Sequence, residues 1–257
     1  MSIIRLDNAS VALRGKLILT DMSLELAKGQ CVGIVGPNGS GKSTAIKLMA
    51  GLLAPQQGVA QILGRNNSAW PRAELARLLC YLPQGGDVHW PLKVSSVVEL
   101  GRLPHRAKGS LSPADRDAIQ DAMSKCDVAH LSDRPVSELS GGEKARVLLA
   151  RALATKAEII LADEPFAQLD PHHQIHAMEV LKAEAAQGAT VVVVLHDLGM
   201  AARHCDRVLV ISAGRIAADG PPTEVLTSDR LREVFGVDAY IGEHQGAPII
   251  LPIKRRA

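Results

Sequence analysis

The run Gly36-Pro37-Asn38-Gly39-Ser40-Gly41-Lys42-Ser43-Thr44 follows the pattern G-x-x-x-x-G-K-[ST]. It lies between a short apolar stretch, Cys31-Val32-Gly33-Ile34-Val35, and a helical pattern from about Lys42 to Ala50. Glycines at these positions let backbone N–H groups turn inward around phosphates, and a helix N-terminus adds its favourable dipole. All nine residues from Gly36 to Thr44 are therefore expected to cradle nucleotide phosphates. Lys42 would hold the β- and γ-phosphates, and Ser43 would give its hydroxyl to Mg²⁺. A second apolar stretch ends in acid, Ile159-Ile160-Leu161-Ala162-Asp163-Glu164. Behind a phosphate loop this places Asp163 near the magnesium, through water, and Glu164 where a general base would polarise an attacking water. A third run, Leu139-Ser140-Gly141-Gly142-Glu143, opens a helix, so that Ser140 and the backbone of Gly141 and Gly142 can grip an anion. By itself this last run reads more readily as a helix cap.

These residues need a frame. The chain up to about residue 30 alternates apolar and polar side chains, as in Met22-Ser23-Leu24-Glu25-Leu26, the pattern of half-buried antiparallel strands. Residues from about 87 to 154 read as mainly helical, with Ser112-Pro113-Ala114-Asp115 as a helix start. Ile159 to Ala162 and Val191 to Leu195 have the length and β-branched content of central parallel strands, with a helical pattern between them. The expectation is an α/β core with an inserted helical region and a C-terminal extension over about 220–257, all in one domain spanning 1–257.

Composition narrows the function. A formal charge of +2 is too small to argue for nucleic acid, and the basic tail Lys254-Arg255-Arg256 reads as a solvated terminus. No apolar stretch approaches the roughly 18 to 20 residues that span a bilayer, and no leader pattern is visible at the N-terminus. The expected location is the cytoplasm, with any membrane role exercised through a partner. Four scattered cysteines, Cys31, Cys80, Cys126 and Cys205, fit a reduced protein with incidental thiols. His172, His173 and His176 lack a neighbouring Cys or carboxylate to complete a metal ligand set, and read as a solvated cluster.

Taken in order, the phosphate loop, the Leu139–Glu143 run and the Asp163-Glu164 strand end resemble the ABC transporter ATPases, whose signature is LSGGQ at this place; here Glu143 stands for the usual Gln. The resemblance implies a P-loop NTPase core with a parallel sheet, an N-terminal antiparallel β subdomain and an inserted α-helical subdomain. It also implies roles for three further residues. Gln84, in Tyr81-Leu82-Pro83-Gln84, matches the loop glutamine that senses magnesium. Asp170, in Ala167-Gln168-Leu169-Asp170, matches the loop that crosses the dimer interface. His196 matches the switch histidine that contacts the γ-phosphate. Two departures stand out. The family's usual adenine-stacking aromatic is replaced by Val11-Ala12-Leu13-Arg14-Gly15, leaving Leu13 or Arg14 as the platform, and Ala167 stands where Ser is common.

The resemblance implies that the anion gripped at Ser140 is the γ-phosphate held by the other subunit; one copy of each motif then makes a complete site only if two chains pair, each ATP lying between Lys42 of one and Ser140 of the other. The resemblance thus implies a homodimer, attached to an integral membrane permease at the cytoplasmic face of the cell membrane. Val97-Val98-Glu99-Leu100-Gly101-Arg102-Leu103-Pro104-His105 and Val234-Phe235-Gly236-Val237-Asp238 resemble ATPases that serve iron–siderophore, haem and cobalamin importers. A periplasmic or extracellular substrate-binding protein is the expected further partner. A metal-ion importer or an exporter would use the same engine. A DNA-repair ATPase would need a coiled-coil insertion, and no heptad run is present.

Overall fold

The computed structural model describes residues 2–85, 92–106 and 110–255; the helical start expected near 87 and Arg256 of the basic tail lie outside them. β1 (Ser2–Leu13) and β2 (Lys16–Ala27) pair antiparallel. Their connection uses Arg14 and Gly15 at φ 51° and 79°, the positive-φ pair that a tight hairpin turn requires. The alternation in the sequence is the burial pattern: Met22, Leu24 and Leu26 face the core, Ser23 and Glu25 solvent. β3 (Cys31–Val35) then runs into the phosphate loop and α1 (Lys42–Met49). The chain returns to the first sheet as β4 (Gln57–Ile62) and β5 (Arg65–Asn66), giving the order β2-β1-β4-β5.

After α2 (Arg72–Leu78) and β6 (Leu79–Leu82) come the helices α3 (Val94–Glu99), α4 (Pro113–Lys125) and α5 (Gly141–Ala154). The chain then alternates through β7 (Ile159–Asp163), α6 (Pro171–Ala186), β8 (Thr190–Val194), α7 (Leu198–His204) and β9 (Arg207–Ser212). It closes with β10 (Arg215–Gly220), α8 (Pro222–Val225), α9 (Ser228–Phe235) and the hairpin β11 (Val237–His244) and β12 (Ala247–Arg255). The second sheet has the order β10-β9-β3-β8-β7-β6, parallel except for β10 at its edge.

Strands β3, β7 and β8 are buried along their whole length, as parallel strands covered on both faces must be. Val32, Ile34, Ile159, Leu161, Val192 and Val194 pack with α1 and β1 on one face. Cys31, Val35, Ile160, Val191 and Val193 pack with α5, α6 and α7 on the other. A truncation such as Ile159→Ala, at 0% exposure, would cost about 2–5 kcal/mol.

The helical region is pinned by polar groups as well. Ser112 caps α4 in a capping box with Asp115, as the sequence led one to expect. Arg102 Nε donates to Asp115 Oδ1 at 2.7 Å, and its Nη1 donates to Ala154 O at 2.8 Å, at the last residue of α5. His105 Nε2 lies 2.9 Å from Thr155 O. A methyl on Gly101 would fall 2.2 Å from Arg151 O. Three residues of the Val97–His105 stretch therefore hold α5 and α4 together, while Leu100 and Leu103 stay exposed.

Candidate functional site

Four of the candidate residues sit just beyond the carboxyl ends of parallel strands, where open α/β sheets bind ligands. Gly36 follows β3, Gln84 follows β6, Glu164 follows β7 and His196 follows β8. Lys42, Ser43, Gln84, Glu164 and His196 share one open cleft of about 480 Å³, with Asn38, Gly39, Gly41, Thr44 and Ile18 on its wall.

The phosphate loop is built by close approach. A Cβ on Gly36 would lie 2.0 Å from Ile211 O and 2.8 Å from Ser40 Oγ. Gly41 caps α1 at φ 104°, and a methyl there would lie 2.7 Å from Leu19 Cδ2. The loop is tied to the sheet by Gly214 N–H donating to Ser40 O at 3.0 Å and closes on itself through Ser40 N–H to Pro37 O at 3.2 Å. Lys42 Nζ donates to Gly36 O at 2.9 Å and Pro37 O at 3.0 Å, inside the turn it would share with phosphates. Burial pushes this ammonium below its ordinary pKa, while Glu164 and Asp163 pull it back up. Ser40 Oγ is buried with no hydrogen-bond partner among the described residues.

Asp163 is 2% exposed and reaches the cleft through Ser43, whose hydroxyl donates to Asp163 Oδ1 at 3.0 Å. On its other oxygen, Tyr81 donates at 3.3 Å. Burial raises the pKa of Asp163; Ser43 opposes this and Glu164 adds to it. The Tyr81 hydroxyl is held protonated well above its ordinary value by burial first and by Asp163 second. Ser43, Asp163 and the side-chain oxygen of Gln84 are hard donors of the kind Mg²⁺ takes alongside water and phosphate, so the residues present fit that ion. Tyr81 was not singled out in the sequence, although it stands three residues before Gln84. Its role depends on the β6–β7 pairing, which places it opposite Leu161.

Glu164 adopts φ 49°, a left-handed conformation unusual outside glycine, directly after β7. Its carboxylate is gripped from both sides. His196 Nε2 lies 2.6 Å from Oε1, and Gln84 Nε2 donates to Oε2. The three residues expected to take part in the chemistry thus converge on one carboxylate.

Ser140, Gly141, Gly142 and Asp170 are absent from the walls of that cleft. Ser140 caps α5: its hydroxyl accepts from Glu143 N–H at 3.2 Å while Glu143 Oε2 accepts from Ser140 N–H at 2.8 Å. This capping box explains how Glu is accommodated at residue 143. The donors from Ser140 hold the Glu143 carboxyl below its usual range. Asp170 caps α6, accepting from His173 N–H at 3.0 Å, with His173 Nδ1 2.9 Å from the same carboxylate. His176 lies 2.9 Å from Lys125 O. Leu13 is 40% exposed in the β1–β2 hairpin, and neither it nor Arg14 lines the cleft; Ile18 is the apolar side chain that does.

Residues 19–167 match the ABC transporter family. The chain is 43% identical over 241 residues to the hemin import ATP-binding protein HmuV of Thermobifida fusca (strain YX), covering 93% of this chain and 84% of that one. It is 40% identical over 249 residues to the cobalamin import ATP-binding protein BtuD of Halobacterium salinarum (strain ATCC 29341 / DSM 671 / R1), covering 96% and 62%. Among solved structures it superposes on the dimeric post-hydrolysis state of the ATP-binding cassette MJ0796 bound to ADP and Pi, with TM-score 0.74, 28% identity, and 85% and 98% of the two chains covered. Phosphate loop, acid-ended strand, helix-capping signature and fold agree with these matches: the chain belongs to the ABC transporter family, as an ATP-binding subunit.

Proposed function

We propose that the chain hydrolyses ATP as one half of a two-fold pair and that the pair powers a membrane importer of haem or a related chelate, iron–siderophore or cobalamin. The observation that supports the chemistry best is the convergence of His196 and Gln84 on Glu164, in the same cleft as Lys42 and Ser43. The observation that supports pairing is that Ser140, Gly141, Gly142 and Asp170 stay outside that cleft. Residues 1–257 act as one ATPase domain in this reading, with the helical region at about 87–154 inserted in it.

The residues divide the work. Gly36 to Thr44 wrap the phosphates in N–H groups, and Lys42 exchanges its bonds to Gly36 O and Pro37 O for bonds to the β- and γ-phosphates. Ser43, Gln84 and, behind Ser43, Asp163 would hold Mg²⁺, which when bound neutralises charge on the phosphate oxygens. Glu164 accepts a proton from the attacking water, which adds to the γ-phosphorus as the bond to the β,γ-bridging oxygen breaks. For that, His196 must leave Oε1 and turn to the γ-phosphate, and Gln84 must release Oε2. Ser140 with the N–H groups of Gly141 and Gly142 caps the γ-phosphate held by the partner chain. ATP then favours the closed pair, and hydrolysis removes that preference, which drives an attached permease between states.

Among the described residues no helix is long and apolar enough to cross a membrane. The kinship with import ATP-binding proteins supports a place at the cytoplasmic face, held through a permease and served by a substrate-binding protein. The names of the relatives, hemin import and cobalamin import, support the chelate class. Uptake of labelled haem, ferric siderophore and cobalamin in a deletion strain tests it. Loss of uptake of one ligand, restored by wild type and not by Glu164→Gln, is the expected result. Uptake of all three without the protein would refute the chelate class and leave metal ions or export.

A further inference from the structure

Glu164 is joined to α6 by a short segment, Pro165 to Asp170, that must hold its shape without belonging to a helix or strand. The backbone bond from Leu169 N–H to Phe166 O, 3.0 Å, closes one turn of it. Gln174, in the second turn of α6, adds two more. Its Nε2 donates to Leu169 O at 3.0 Å and to Phe166 O at 3.2 Å, so both amide protons are used on this one segment. Phe166 and Leu169 are buried in the helical-side core, at 6% and 7% exposure. Between them Gln168 packs on the start of α5: a methyl on Gly141 would come within 3.0 Å of Gln168 Oε1, and one on Gly142 within 3.5 Å of Gln168 O. Gln174 also borders a cavity of about 120 Å³ together with Glu164 and His196.

A single side chain therefore fixes the two carbonyls of a segment that starts at Glu164 and rests on the glycine pair of the α5 cap. We infer that Gln174 is a positioning residue for ATP hydrolysis: its paired donors set the backbone from Pro165 to Asp170, and through it the placement of Glu164 in the cleft of its own chain. The inference rests on Glu164 acting as the general base. Gln174 is not among the described residues that line the phosphate cleft, so its loss acts on geometry and leaves the phosphate loop intact. The anchoring of α6 has its own sources, in Asp170 at its N-cap and in buried Ala177, Met178 and Leu181.

The test is steady-state hydrolysis by the full-length chain carrying Gln174→Met, which keeps the length and removes both donors, and Gln174→Lys, which restores donation. For Gln174→Met, kcat should fall roughly ten- to a hundred-fold, since misplacement by about 1 Å has that effect. KM for ATP should stay within about two-fold, and the thermal midpoint should stay near wild type. Gln174→Lys should recover most of the turnover. Wild-type kcat in Gln174→Met, or a loss that follows a fall in thermal midpoint and is not relieved by Lys, overturns the inference. Glu164→Gln run beside them separates the two claims: full turnover there removes the base itself, whereas a dead Glu164→Gln with a normal Gln174→Met removes only the positioning role.

Discussion

His196 Nε2 lies 2.6 Å from Glu164 Oε1, and Gln84 donates to the second oxygen of the same carboxylate. In this arrangement the proposed base is fully engaged by the two residues that are also proposed to read the γ-phosphate and its metal. On that proposal substrate binding frees the base, because the groups that would turn to the nucleotide are the groups that hold Glu164.

Removing the carboxylate tests the base. Glu164→Gln should lower ATP turnover by roughly 10²–10⁴-fold while leaving ATP affinity in place. Phosphate release and equilibrium nucleotide binding measure the two sides. Near-normal turnover would remove Glu164 from that role.

Lys42 donates to two loop carbonyls, and the Lys42→Ala variant removes the ammonium that the phosphates would take from them. It should lose ATP binding, because among the described residues no other ammonium lines the cleft. Calorimetric titration with ATP would show this; unchanged affinity would contradict the phosphate-loop role.

A pH prediction concerns the helical region. Asp115 is held well below the usual carboxylate range, first by the Ser112 hydroxyl and then by Arg102. A carboxyl depressed in the folded state contributes stability that is complete above its unfolded pKa, about 4, and is lost as pH falls through the folded value. Wild type should therefore lose thermal stability as pH drops below about 4 more steeply than Asp115→Asn, and parallel acid melts of the two would contradict this.

The cysteines should be unreactive. Burial pushes Cys80 up to about 11 and Cys126 up to about 12, so little thiolate exists near neutral pH. Alkylation of the native protein at pH 7 should be slow at both and become fast on unfolding; rapid native labelling of Cys126 would contradict its 1% exposure.

How much of this was legible in the sequence follows the range of the interactions. The phosphate loop, the acid after β7, and the caps at Ser112 and Ser140 rest on contacts between residues a few positions apart, and each was readable as a spacing. The β1–β2 hairpin and the buried strands β7 and β8 were readable as alternation and as β-branched runs. β4, β5 and α2 were not anticipated, because Gln57–Ile62 takes its place by pairing with β1 and has buried residues at only two positions, Ala60 and Ile62. Tyr81, Ile18 and Gln168 escaped notice because each acts on a residue brought near by the fold, and Gln174 because its partners are backbone carbonyls of an irregular segment, which no residue type marks. Arg102 and His105 were read as part of a stretch marking a substrate group, and their bonds to the end of α5 show a structural task within it.

The claim on which the account turns is that the α5 cap completes the site of a second chain. Light scattering of Glu164→Gln protein, with and without ATP, measures it directly, with Ser140→Arg added in the same background. The account predicts single chains without nucleotide, pairs with ATP, and single chains that still bind ATP once Ser140→Arg is present. ATP-dependent pairs that form normally despite Ser140→Arg, or Glu164→Gln protein that binds ATP and never pairs, would contradict it.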